Sequence, residues 1–225
     1  MINSNICLVL PFKPVIMISD KKDHIINTAI ELFAERGFEG TSIRDLATKA
    51  DVNVAMVNYY FGSKDKLFEA LVERKVSFMR NLLDGLMNNK ELSEIEKIDF
   101  IIVSYVSKFM EQPLFHKVLQ QEMLVTQRIT LHENLLHIFS KNRADVVAII
   151  EKGIRKKIFR KVDPQLTFAS VIGTINHVMQ SKKICNNLLD EGPYHDPYTD
   201  EKIKNRIITH IKQMIHAHLL INNDL

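Results

Sequence analysis

Residues 29–71 read AIELFAERGFEGTSIRDLATKADVNVAMVNYYFGSKDKLFEAL, and the punctuation of this stretch decides the fold. Ala29, Ile30 and Phe33, with Ile26 ahead of them, keep the three-and-four spacing of one buried helical stripe. Gly37, following Glu35 and Arg36, supplies the left-handed residue on which helices commonly stop, and Gly40 permits a second turn. Ser42 with Asp45 reads as a capping box opening a short helix, with Ile43, Leu46 and Ala47 on its inward face. Lys49 to Asn53 is a turn. Asn53 then caps a third helix that runs to about Phe61 and ends at Gly62, and Ser63 caps the next.

Working outward, Asp20 stands where it can cap the first helix. From Lys64 to about Met87, the apolar positions Leu67, Phe68, Leu71, Val76, Met79, Leu82, Leu83 and Leu86 describe a much longer helix, expected to join two domains. Helical patterns follow over Ser93 to Gln112, Leu114 to Val125, Leu131 to Lys157, Gln165 to Leu189 and Thr199 to Ile221. Between them, Val162-Asp163-Pro164 is a break in which Asp caps and Pro takes the first turn, and Asp190 to Asp200 is a loop rich in Gly, Pro and acidic residues. There is no internal repeat. With 7 Gly and 6 Pro in 225 residues, few positions interrupt long helices, so the expected fold is all-α, with about nine helices.

Bulk properties bound the function more weakly. The chain is 46% hydrophobic, enough for a sizeable core, and its net charge of +3 only hints at an anionic partner. Cys7 and Cys185 stand far apart in no paired spacing, which argues against a disulfide framework or a cysteine zinc site and fits a reducing cytoplasm. Residues 1–16 carry short apolar runs broken by Pro11 and Pro14, with no cationic segment ahead of them; this is a poor signal peptide and too short to span a membrane. Met17 precedes a clean helical pattern, so translation starts either at Met1 or at Met17, leaving an N-terminal arm in the first case. No other segment reaches membrane-spanning length without charges, and the expectation is a cytoplasmic protein with no membrane partner.

The stretch also resembles the DNA-binding region of the TetR family of transcriptional regulators: a helix, a GF-x-GTS turn, an IRDLA helix and a YYF-x-SK-x-x-L junction occur in order over roughly residues 20–71. The resemblance implies a helix-turn-helix DNA-binding domain over residues 19–66, after an extension over 1–18, and a helical ligand-binding and dimerisation domain over 67–225. It implies that Val54 to Phe61 enters the major groove. That helix has no Lys or Arg, so base reading falls to Asn58, whose amide can pair with adenine, and to Ala55 and Met56 against thymine methyls; A·T-rich half-sites follow. For phosphate contacts Thr41, Ser42, Tyr59, Tyr60 and Lys64 suit, with Arg44 and Lys49 as further candidates. In the family the positions matching Thr41, Tyr59 and Lys64 touch the backbone. Other readings stay open: Tyr60 faces either groove or core, and Asn58 is either a reader or a solvated helix residue. Phe61, Val57, Leu46 and Phe33 read as core. Asp51 departs from the glycine frequent in such turns, but Asp tolerates the left-handed region.

For the remainder the resemblance implies a twofold homodimer, with the last two helices forming an intersubunit bundle, and a palindromic double-stranded DNA operator. Gln165 to Leu189 mixes Leu166, Phe168, Val171, Ile172 and Ile175 with small Ala169, Ser170 and Gly173, and Ile203, Ile207, Ile211, Met214 and His218 give the final helix a similar seam. It further implies a pocket for a small, largely apolar effector, for which Tyr105, Phe109, Phe115, Met123, Phe139, His177 and Met179 are candidates, although residues of these types at helical spacing are more often core than pocket. His132 and His137 are five apart, and His210, His216 and His218 are off one face, so no metal site is expected. No P-loop, glycine-rich nucleotide fingerprint or G-x-S-x-G elbow occurs, and neither catalysis nor a cofactor is expected. Two functions compete. One is a repressor released from DNA by its ligand; the other is a helical interaction protein that uses DNA to place a partner on the chromosome.

Overall fold

The structure, a computed structural model, describes residues 18–125 and 128–221. The alternative starts at Met1 and Met17 and the extension before the first helix therefore fall almost wholly outside the described residues. Among those residues the chain forms ten helices and no strand: α1 (Ile18–Arg36), α2 (Ile43–Lys49), α3 (Val54–Phe61), α4 (Lys64–Asn88), α5 (Glu94–Glu111), α6 (Pro113–Met123), α7 (Ile129–Arg155), α8 (Pro164–Val178), α9 (Lys182–Leu189) and α10 (Glu201–Leu219).

The caps act as expected along the N-terminal half. Ser42 and Asp45 close a reciprocal capping box on α2, Asn53 Oδ1 accepts the Met56 N–H at 2.6 Å, and Ser63 accepts from Lys66. Gly37 and Gly62 take φ of 76° and 80°, and Asp51 sits at φ 51° in the left-handed region. Gly40 lies in the turn as expected, and a Cβ there would strike the Arg36 carbonyl, so glycine also allows close approach of backbone to backbone. Two expectations are corrected. Asp20 lies inside the first turn of α1 and not ahead of it. The stretch expected as one helix over Gln165–Leu189 is two, because Ser181 adopts extended backbone and accepts the Ile184 N–H, starting α9 afresh; nine expected helices thereby become ten.

Two buried clusters organise the molecule. One gathers α1–α3 and the first turns of α4 around Phe33, Phe38, Leu46, Val57, Phe68 and Leu71; it also takes in Phe115 and Val118 of α6 and Leu131 and Leu135 of α7. The other joins the far half of α4 to α5, α7, α8 and α10 around Leu83, Ile102, Val106, Ile150, Ile175 and Ile211. Core packing therefore does not break at residue 66, since α4 supplies Leu67 through Val72 to one cluster and Met79 through Leu86 to the other. Polar ties cross the same seam: Arg74 grips Asp23 with two hydrogen bonds, Lys117 donates to the Ala34 carbonyl at 3.0 Å, and Asn134 donates to Glu69 at 2.7 Å.

The far end is held by a corner. Phe159, beyond α7, pairs with Leu220 in an isolated antiparallel bridge, Arg160 N donates to the Leu219 carbonyl at 2.7 Å, and the Phe159 ring lies where a Cβ on Gly153 would be. At the start of α5 the buried Glu94 meets the ammonium groups of Lys152 and Lys156, each at 2.9 Å. Burial pushes the Glu94 carboxyl up, but these hydrogen bonds outweigh burial and hold it at about 2.

Candidate functional site

The turn between α1 and α2 is built by polar atoms satisfied at short range. Thr41 is 1% exposed; its hydroxyl donates to the Gly37 carbonyl at 2.9 Å and its N–H to the Phe38 carbonyl at 3.3 Å. The structure thus places Thr41 inside the turn and not on its surface, where its hydroxyl satisfies a carbonyl that the end of α1 leaves open. Lys64, at the amino end of α4, is likewise engaged. Its ammonium donates to the carbonyls of Phe38 at 2.8 Å and Thr41 at 3.1 Å and lies 4.3 Å from the centre of the Phe38 ring. The Arg128 guanidinium also sits 4.2 Å from the centre of that ring, pairing with Glu39 at 2.6 Å and with Glu122. Sequence reasoning missed this second cation, because Arg128 precedes α7 and no local pattern relates it to Phe38.

α3 separates its faces cleanly. Val57 and Phe61 are buried, while Ala55, Asn58 and Tyr59 are exposed and fall at spacings of three and four, so they form one stripe. Tyr59 is 85% exposed; Tyr60 is half-buried against the N-terminal core, with its ring 5.5 Å from that of Tyr59. Met56 is partly exposed at the margin of the stripe. On α2, Ser42 and Arg44 face solvent. Arg44 has no ion pair among the described residues, whereas Lys49 is drawn to Glu31 at 3.2 Å. The Ser42 hydroxyl donates to Asp45 at 2.5 Å, and that hydrogen bond, with the one from the Ser42 N–H, holds the Asp45 carboxyl below its ordinary value. This face offers an amide, a phenol, a methyl and a guanidinium, a set suited to base edges and phosphates.

A cavity of about 390 Å³ opens among α4, α5, α6, α7 and α8. Tyr105, Phe109, Phe115, Met123 and Phe139 line it; His177 and Met179 do not. α8 turns Phe168, Ile172, Ile175 and Asn176 towards the cavity, and a residue two beyond Ile175 points nearly the opposite way on a helix. His177 is accordingly exposed, and Met179, past the helix end, is packed in the C-terminal core. Lining residues that the sequence did not single out include Lys75, Lys108, His116 and Arg143. His116 stacks on Phe109 with ring centres 3.9 Å apart, and burial pushes its imidazole down to about 4, so it is neutral at physiological pH. Burial likewise pushes the Tyr105 phenol up to about 12.

Among the described residues no helix is long and apolar enough to cross a membrane, and no three His, Cys, Asp or Glu side chains gather as metal ligands. Two C-terminal histidines have other partners: His216 lies 2.8 Å from Asp99 and His218 lies 3.1 Å from the Thr167 hydroxyl.

Comparison with known proteins converges on the same stretch. Residues 25–71 match the family described as bacterial regulatory proteins, tetR family. The "Probable HTH-type transcriptional regulator YttP" of Bacillus subtilis is 30% identical over 145 residues, 60% of this chain and 66% of YttP. The HTH-type transcriptional repressor NicS of Pseudomonas putida is 29% identical over 141 residues, 62% of this chain and 66% of NicS. The matches thus span just under two thirds of these relatives' own lengths. The fold is similar to that of the transcriptional regulator FadR from Bacillus subtilis, solved in complex with stearoyl-CoA, with a TM-score of 0.67 at 19% identity over 86% of this chain and 99% of that one. These relatives are named as regulators and not as enzymes. By its helix-turn-helix and by the match over residues 25–71, the chain carries the DNA-binding region of the TetR family of bacterial regulatory proteins.

Proposed function

We propose that this chain is a cytoplasmic transcriptional repressor that binds a palindromic operator as a homodimer and leaves it when a small, largely apolar ligand occupies the cavity. The observation that carries this reading is the exposed stripe of Ala55, Asn58 and Tyr59 on a short helix whose other face is buried. Asn58 reads an adenine edge, Ala55 and Met56 meet thymine methyls, and Tyr59, Ser42 and Arg44 hold phosphates, with Tyr60 at the margin. Thr41 and Lys64 contribute through the turn they brace.

Dimerisation fits α8, where Leu166, Ala169, Ser170 and Gly173 are exposed together and a Cβ on Gly173 would meet nothing in its own chain. Small residues let a second helix approach closely, and a dimer doubles the contacts of one short reading helix. Ligand coupling fits α4, which carries Val76 and Met79 on the cavity wall and Lys64 at the reading end. A shift of that helix changes the separation of the two reading helices, and a ligand that prefers the shifted geometry lowers operator affinity. The relative NicS is named a repressor, and the FadR neighbour was solved with an acyl-CoA.

The test is a gel shift on the promoter beside the gene, across a salt series. Specific binding with a steep salt slope is expected, and Asn58→Ala should cost about 1–3 kcal/mol of discrimination between half-sites. Binding indifferent to sequence in the wild type, with no effect of Asn58→Ala, overturns the assignment of α3 to the groove.

A further inference from the structure

We infer that the cavity selects a single-chain amphiphile with an anionic head, and that the head draws the Lys75 ammonium away from Asn27 on α1. This rests on reading the cavity as the ligand site and adds the charge of the ligand and the residue that senses it.

Most of the cavity lining is apolar, from Met79, Phe115, Phe139, Phe168 and Ile175 among others, and such walls take a hydrocarbon chain. The charged side chains on it are Lys75, Lys108 and Arg143, all cationic, and no carboxylate lines the cavity among the described residues. The remaining ionisable groups, His116 and Tyr105, are both neutral at physiological pH. A cationic ligand would meet three like charges at close range, and an uncharged one would gain at most hydrogen bonds to neutral acceptors; an anion is favoured by all three.

The three cations are not equivalent. Lys108 already has a carboxylate, Glu111, at 2.5 Å and lies over the Phe78 ring. Arg143 is exposed. Lys75 is half-buried, and its hydrogen-bond partner is the neutral amide oxygen of Asn27, at 3.0 Å. Burial, with the neighbouring Arg74, pushes the Lys75 ammonium below its ordinary value and outweighs the attraction of Asp23. The acid in that neighbourhood, Asp23, is held by both Arg74 nitrogens, at 2.9 and 2.7 Å.

Lys75 also borders two spaces. It lines the cavity, and it lines the cleft between α1 and α4 that Asp23, Asn27 and Arg74 share. A ligand head entering from the cavity side offers a full negative charge in place of an amide dipole, and the flexible four-carbon stem lets the ammonium follow it. One of the ties between α1 and α4 is then lost, and the DNA-binding head becomes freer to move relative to α4.

The experiment is isothermal titration of the full chain with decanoate, decyl phosphate, decanol and decylamine, each below its micelle concentration. Either anion should bind about tenfold more tightly than decanol, and decylamine most weakly; which anion leads identifies a carboxylate or a phosphate head. Lys75→Met should bring the anion down to the decanol level, while Lys75→Arg keeps the preference. Asn27→Ala, outside the cavity, should tighten the anion by about twofold, since its competitor is gone, and leave decanol unchanged. Decanol binding as well as the anions overturns the charge assignment but leaves the cavity a ligand site. An anion preference that survives Lys75→Met, or an Asn27→Ala variant with unaltered anion affinity, overturns the exchange. If no decyl probe binds, the ligand-site reading falls, and this inference with it.

Discussion

Lys64 is the residue whose chemistry changes most between its sequence and its surroundings. A lysine at the start of a helix in a DNA-binding head reads as a phosphate ligand, yet its ammonium donates to the carbonyls of Phe38 and Thr41 and covers the Phe38 ring. The two roles give different salt behaviour. A lost phosphate contact flattens the salt slope by about one unit, whereas a loosened turn lowers affinity without flattening it. We expect Lys64→Met to destabilise the protein by about 1.5–3 kcal/mol, the range for hydrogen bonds from a charged donor, in denaturant melts. We expect it also to weaken binding to all operators with the salt slope kept. A flattened slope with unaltered stability would return Lys64 to the phosphates. Thr41 shares this fate for the same reason: the sequence shows that a hydroxyl is present and not that a carbonyl of the preceding helix end already takes it.

Among the helices, what was legible was local. Ser42, Asn53 and Ser63 each announce a helix within three residues of themselves, and Gly37, Gly62 and Asp51 mark backbone that most side chains avoid. The division of α8 from α9 was missed although its signal is as local, because the apolar spacing runs through Met179 to Ile184 and hides Ser181 as a cap. Replacing Ser181 with Ala should cost about 1 kcal/mol in thermal or chemical denaturation. Contacts that the helical spacing does not encode were not legible at all. The Gly153 and Phe159 pair is one, since nothing in the helical pattern of α7 says that a ring from just beyond its end will lie on that glycine. Gly153→Ala should overpack the corner and cost about 1–3 kcal/mol in the same assay, and a neutral result would mean that Phe159 turns aside freely. The cavity was read in part for a similar reason: its aromatic walls are visible by type, while Lys75, Lys108 and Arg143 look like any solvated helix face until three helices bring them to one opening.

For the molecule as a whole, two buried ionisable groups set the acid limits of stability. The His116 imidazole, at about 4 in the folded state, lies below the ordinary 6.5 of the unfolded chain. The unfolded chain therefore binds that proton first, and stability that is full above about 6.5 is lost as the pH falls through about 4, by roughly 3 kcal/mol. Glu94, at about 2 against 4.5, contributes stability that is full above about 4.5 and lost as the pH falls through about 2. Denaturant melts between pH 7 and pH 4 should show the first loss, and His116→Phe should flatten that limb while leaving the lower one. An unchanged slope in the variant would place the titrating group elsewhere.

The sharing of the N-terminal core by α6 and α7 bears on how this protein can be recombined. Phe115, Val118, Leu131 and Leu135 pack with the reading head although they lie far along the chain. A chimaera spliced at residue 66, carrying this head onto another effector body, would leave those four side chains behind and open the head's underside to water. The transferable module is discontinuous, and a working graft would have to take α6 and the first turns of α7 along with α1 to α4.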